Sequence, residues 1–154
     1  MSFRHGIPEH ERSVIDAALA IIGRHLGEPG AIFSSPDAVR DFLRLHLGAE
    51  QAEVFAVLYL DSQNRAIAFE TPFSGTLCQT SVYPREIARA AIVHNAAAVV
   101  VAHNHPSGNT QPSKSDQALT QALKATLSLV DVRVLDHFIV TAGICTSMAE
   151  LGML

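Results

Sequence analysis

The chain has 154 residues, 48% of them hydrophobic and 17% charged, a length that suits one compact domain and is short for two. With no low-complexity run, that balance excludes a disordered or fibrous protein. A formal charge of -4 and a pI near 6.0 leave no basic stripe of the kind that phosphate-dominated nucleic-acid binding needs.

The chain opens on MSFRHGIPEHERS, which lacks the basic start and apolar core of a signal peptide, and no apolar run reaches the roughly 20 residues of a membrane span. Cys78 and Cys145 are the only cysteines and neither belongs to a CxxC pair, so neither a disulfide framework nor a thiolate zinc site is expected. These features point to a reducing cytoplasm.

From His10 to about Leu26, Val14, Ile15, Ala18, Leu19, Ile21 and Ile22 fall close to helical spacing, and Gly27 with Pro29-Gly30 ends the run. SSPDAVRDFLRLHLG signals a second helix, with Ser35 as N-cap, Pro36 in the first turn and Gly48 at the end. Val39, Phe42, Leu43 and Leu45 form its apolar side. A distinct core begins here, so residues 1–34 are expected to be a helical extension and 35–154 the main domain. Val54 to Leu60 is apolar on both faces, Asp61 to Arg65 is polar turn material, and Ala66 to Phe69 is apolar again, which predicts a strand pair in a sheet covered on both sides.

Gly75 to Val82 is a candidate further strand that would contain Cys78, read as a small buried residue. Pro84 starts a helix with Ile87, Ala90, Ala91 and Val93 facing inward. Ala96 to Ala102 is a short buried strand. Ser113 to about Leu129 reads as a helix, Val132 to Val140 as a strand and Ile144 to Ser147 as a short final strand. The whole predicts an α/β protein, a mixed sheet flanked by helices.

The buried strand runs straight into AHNHPSGNTQPSKSD, from Ala102 to Asp116. In extended backbone, residues i and i+2 share a face, so His103 and His105 project together while Asn104 faces away. Asp116 falls in the first turn of the next helix, able to face back. Two imidazoles and a carboxylate with one position left open are the donor set of a catalytic zinc. A second reading is open on the same residues: Ser113 and Asp116 have the S-x-x-D spacing of a capping box, which needs no metal, and the histidines can be solvated at a strand end.

His103-x-His105-Pro106, followed ten residues on by Asp116 with Ser113 three before it, resembles the JAMM (MPN+) metalloprotease signature. YPREIARAA, NAAAVVVAHNHPSGNTQPSKSD and LDHFIV, in this order, are similar to the RadC-like branch of JAB/JAMM domain proteins from about Ser35 to the C-terminus. HNH nucleases are a poor comparison, because they spread those three letters over a ββα unit. The resemblance implies a JAB/MPN, cytidine-deaminase-like three-layer fold and a zinc-dependent hydrolase, with one Zn2+ per chain held by His103, His105 and Asp116. It further implies that Ser113 helps bind the oxyanion of the tetrahedral intermediate and that a glutamate from an earlier strand acts as general base. Glu53, which opens the first core strand, is preferred for that role and Glu70, which closes the second, is the second choice; spacing does not separate them.

RadC-like proteins commonly carry an N-terminal helix-hairpin-helix region. The 34 residues before Ser35 are too few for it, so the chain reads as a short form. Many JAMM peptidases have Ser or Thr where this chain has Asn104, a departure that bears on the peptide-bond specificity of the eukaryotic deubiquitinases and not on the metal ligands. The expected activity is that of a metallopeptidase or isopeptidase on an unknown protein or peptide. The alternatives are a DNA-associated repair or recombination accessory factor that binds metal without cleaving peptides, which the charge does not favour, and an MPN scaffold without catalysis.

Among the remaining residues, Asp136-His137 reads as a hydrogen-bonded pair supporting the site or a strand end, or as support behind a metal ligand. His94 and Glu86 read as residues favoured by a helix dipole. Arg85 reads as a surface ion pair, and His5, His10, His25 and His46 as surface positions. Nothing in these residues names the oligomeric state.

Overall fold

Runs of Val, Ala and Leu build a five-stranded mixed sheet in the computed structural model of this protein, which describes residues 7–25, 33, 35–75 and 81–154, with backbone alone at 22–25. The helices are α1 (Glu9–His25), α2 (Pro36–Leu47), α3 (Pro84–Val93) and α4 (Lys114–Ser128). The strands are β1 (Val54–Leu60), β2 (Ala66–Ser74), β3 (Ala98–Asn104), β4 (Arg133–Val140) and β5 (Cys145–Ser147), in the sheet order β2-β1-β3-β4-β5. β3 and β4 are parallel, and α4 is the crossover that joins them; the other neighbours are antiparallel.

The alternation of the central strands divides the core in two. Ala56, Leu58 and Leu60 of β1 with Ala98, Val100 and Ala102 of β3 face Val39, Phe42, Leu43 and Leu47 of α2. Phe55, Val57 and Tyr59 with Val99 and Val101 face Ile87 and Ala91 of α3 and Leu123 and Leu127 of α4. The result is helix, sheet and helix in three layers. His103 continues the second series, so the alternation of β3 delivers it to the α4 side.

Local signals set the joints. The Ser35 side chain accepts the Ala38 N–H at 3.3 Å and Pro36 occupies the first turn of α2. Gly48 ends α2 by close approach: a Cβ there would lie 2.6 Å from the Arg44 carbonyl oxygen and 3.3 Å from that of Thr141. In the β1–β2 hairpin, Asp61 accepts the backbone N–H groups of Gln63 and Arg65 and the Arg65 side chain, while Asn64 takes φ 59°.

Several expectations are corrected. β2 does not stop at Phe69: it runs on to Ser74, which pairs with Val54, so Glu70 lies in mid-strand opposite Val57. β3 starts and ends two residues later than expected and includes His103. Val93 is exposed rather than inward, because the inner face of α3 is set by Ile87 and Ala91, and Leu47 rather than Leu45 completes the buried face of α2. His46 is half-buried between the rings of Phe42 and Phe69, not a free surface residue. The expected Gly75–Val82 strand, Cys78 within it, and His5 lie wholly or mostly outside the described residues, as does the side chain of His25; the described ends, Gly75 and Ser81–Val82, are not strand. Among the described residues, no helix is long and apolar enough to cross a membrane.

Candidate metal centre

The C-terminal end of β3, the N-terminus of α4 and the entry to β1 meet at one edge of the sheet. Parallel strands joined by a helix place the crossover loop and the helix start at the carboxyl ends of the strands, where open α/β sheets bind ligands. β1 is antiparallel to β3 and pairs Phe55 with His103, which brings its entry to the same edge. An open cleft of about 780 Å³ results, lined by Glu53, His103, His105, Ser113 and Asp116 among others.

His103 Nε2 and His105 Nε2 lie 2.9 Å apart, His103 Nε2 is 3.0 Å from Asp116 Oδ1, and His105 Nε2 is 3.4 Å from Asp116 Oδ2. Ligands held about 2.0–2.1 Å from a tetrahedral zinc are separated from one another by about 3.3 Å, so this triangle has the required size. These residues form the one group of three or more metal-ligating side chains among those described.

The outer ring atoms determine what the inner ones offer. His105 Nδ1 faces the Asn109 carbonyl at 2.8 Å; a carbonyl only accepts, so Nδ1 carries the proton and a neutral His105 presents a lone pair at Nε2. Behind His103 stands a buried relay. The Thr120 hydroxyl donates to the Asp116 carbonyl at 2.7 Å and so accepts from His137 Nδ1 at 2.6 Å. His137 Nε2 is then an acceptor and takes the His103 Nδ1 proton at 2.8 Å. His137 can play this part because burial pushes its pKa well below the ordinary value and keeps the ring neutral. His103 therefore also turns a lone pair at Nε2 inward.

Two acceptor nitrogens 2.9 Å apart beside a carboxylate require a positive charge between them. A metal ion would supply it, and two imidazoles with one carboxylate are a donor set that could hold one; without metal, a proton on one ring does so. The titration directions agree. Burial pushes the Asp116 carboxyl up, but the imidazoles of His103 and His105 beside it, with the Ser113 N–H, outweigh it and hold the group well below the usual carboxylate range. The Asp116 carboxylate beside it raises His105 against the opposing effect of burial, and the charge of Glu53 adds to the rise.

Capping and metal binding turn out to be compatible. Ser113 Oγ accepts the Asp116 N–H at 3.0 Å, and Asp116 Oδ2 accepts the Ser113 N–H at 2.6 Å. That capping box fixes the carboxylate so that Oδ1 points at His103. Ser113 spends one acceptor position on it and keeps its hydroxyl proton at the wall of the cleft.

The two glutamates part company. Glu53 lines the cleft, whereas Glu70 binds His94 Nε2 at 2.6 Å. Glu70 lies four residues from the Ser74 end of β2, about 13 Å along the strand. His94, expected at a helix end, is the C-cap residue of α3, and Arg85 pairs with Glu86 at 3.7 Å as expected of a surface position. Asp136 accepts the backbone N–H groups of His137 and Ala149 and the Ser147 hydroxyl, which ties the C-terminal turn to β4. Sequence reasoning missed Thr120. Its one signal is its place four residues after Asp116, on the same helix face.

The RadC-like JAB domain model matches residues 33–153. The chain belongs to this family. UPF0758 proteins are among its relatives: one from Polaromonas sp. is 57% identical over 152 residues, covering 97% of this chain and 68% of the relative. Those from Verminephrobacter eiseniae and Acidovorax sp. are each 56% identical, over 152 and 151 residues, covering 97% and 96% of this chain and 64% and 63% of their own lengths. The chain thus spans about two thirds of the length of these curated relatives. The three-layer architecture and mixed sheet agree with the JAB/MPN fold.

Proposed function

We propose that the protein is a zinc-dependent hydrolase of JAMM type, a metallopeptidase or isopeptidase, with His103, His105 and Asp116 as the zinc ligands. The observation that carries this reading is the pair of imidazole Nε2 atoms 2.9 Å apart beside Asp116. When bound, zinc supplies a Lewis acid and lowers the pKa of a water molecule to roughly 7. Glu53 is the group in the cleft suited to take that proton and return it to the leaving amine. Ser113 can donate its remaining hydroxyl proton to the oxyanion. Among the described residues, no Lys or Arg lines the cleft. That favours a peptide over a polyanionic substrate and counts against the reading as a DNA-associated accessory factor. A reducing cytoplasm suits the buried free thiol of Cys145.

The test has two stages. Stripped protein offered zinc should hold one ion per chain by elemental mass spectrometry, with the ion lost in His103→Ala and Asp116→Ala. A peptide library should then be cleaved by the wild type and not by Glu53→Gln, which should retain its zinc. Specific zinc binding with salt-sensitive DNA association and no cleavage would transfer the assignment to the accessory factor.

A further inference from the structure

Asn104 sits between the two histidines and is 2% exposed, with its side chain on the opposite face of β3. The β1–β3 ladder ends at the pair Phe55–His103. Beyond it, Asn104 takes over with its side chain. Oδ1 accepts the Val54 N–H at 2.7 Å, and Nδ2 donates to the Glu50 and Ala52 carbonyls at 3.1 and 2.9 Å. The partners leave no choice of amide orientation, since an N–H needs the oxygen and two carbonyls need the NH2 group.

Two of these bonds fall on Ala52 and Val54, the residues directly before and after Glu53, and the third on Glu50. The Glu53 carbonyl accepts from Gly75 N–H at 2.9 Å, so the peptide groups flanking its side chain are held from two directions. We infer that Asn104 is the positioning residue for Glu53: it makes the His-Asn-His triplet a single device in which two residues hold the metal and the third sets the base. This inference rests on the hydrolase reading, because only there does the place of Glu53 relative to His105 matter. It also gives the central Asn104 a physical task that a shorter serine or threonine side chain, lacking an amide, does not perform with all three bonds.

The experiment compares full-length wild type, Asn104→Ser and Asn104→Asp, labelled with nitrogen-15 and with carbon-13 at the glutamate carboxyls. Both variants should keep one zinc per chain. In Asn104→Ser the Val54 amide should exchange about ten-fold faster, as expected from the loss of one hydrogen bond; Asn104→Asp keeps an acceptor for that amide and loses instead the bonds donated to the Glu50 and Ala52 carbonyls. The response of the Glu53 carboxyl carbon to added zinc should fall towards that of the exposed Glu9. An unchanged Glu53 response in both variants would overturn the inference and leave Asn104 as a ladder cap. So would unfolding of both, which would make it a folding residue. Should the wild type bind no zinc, the hydrolase reading fails separately. Contacts between Glu53 and His105 in the metal-free spectra would still decide the clamp, by their loss or survival in the variants.

Discussion

At the scale of single residues, the site is defined by which nitrogen carries which proton. The relay Thr120–His137–His103 begins at a backbone carbonyl and ends at the metal-facing lone pair, so each member fixes the next. Thr120→Val removes the acceptor for the His137 N–H while nearly preserving volume. Zinc affinity, measured by competition with a chelator, is expected to weaken about 10–100-fold. Thr120→Ser restores the hydroxyl and should bind close to wild type. Equal affinity in Thr120→Val would mean that the relay does not orient His103. The three candidate donors were legible in the sequence, because strand periodicity places His103 beside His105 and the capping spacing places Asp116. The relay was legible only in part: Asp136-His137 read as support for the site, but Thr120 is an ordinary helix residue by type, and His137 comes from β4, whose register against β3 no local pattern reveals. Spacing left Glu53, the preferred base, unseparated from Glu70 for a related reason, since the separation depended on how far β2 continues.

At the scale of elements, β2 continues past Phe69 and Glu70 through Pro72. Its ladder with β1 is irregular between the pairs Val57–Glu70 and Phe55–Phe73, and among the described residues β2 lies at one end of the sheet; a bulge or an edge tolerates a residue without an N–H. The other end of the same hairpin was readable, because Asp61 to Arg65 carries turn chemistry that acts locally. The Arg65 backbone N–H, followed by the Arg65 side chain and the Gln63 N–H, holds the Asp61 carboxyl below its ordinary value of 3.8. A depressed carboxyl pKa contributes stability that is present above the unfolded value and lost as pH falls through the folded one. Asp61→Asn is therefore expected to be less stable than wild type by a constant margin at neutral pH. The margin should shrink below about pH 4 in urea titrations of the two proteins. A margin independent of pH would show that the turn does not depend on the charge of Asp61.

At the scale of the whole molecule, the candidate metal centre ties together parts that the unfolded chain keeps apart. β3 supplies the histidines, α4 supplies Asp116, β4 backs His103 through His137, and the entry to β1 brings Glu53. Several layers of the fold are thus reported by one ligand. A ligand that binds the folded state alone stabilises it by about 2.7 kcal/mol at a hundred times its Kd. For a domain of this size that corresponds to a rise of roughly 5–10 °C in Tm. Metal-stripped protein should gain that rise on addition of zinc and lose it again with chelator, whereas His103→Ala and Asp116→Ala should melt at one temperature with or without the ion. The comparison also separates capping from coordination, because Asp116→Ala removes both and His103→Ala removes coordination alone. If His103→Ala still gained the full rise, zinc would be acting elsewhere on the protein, and the geometry of three converging donors would have to be explained by a shared proton.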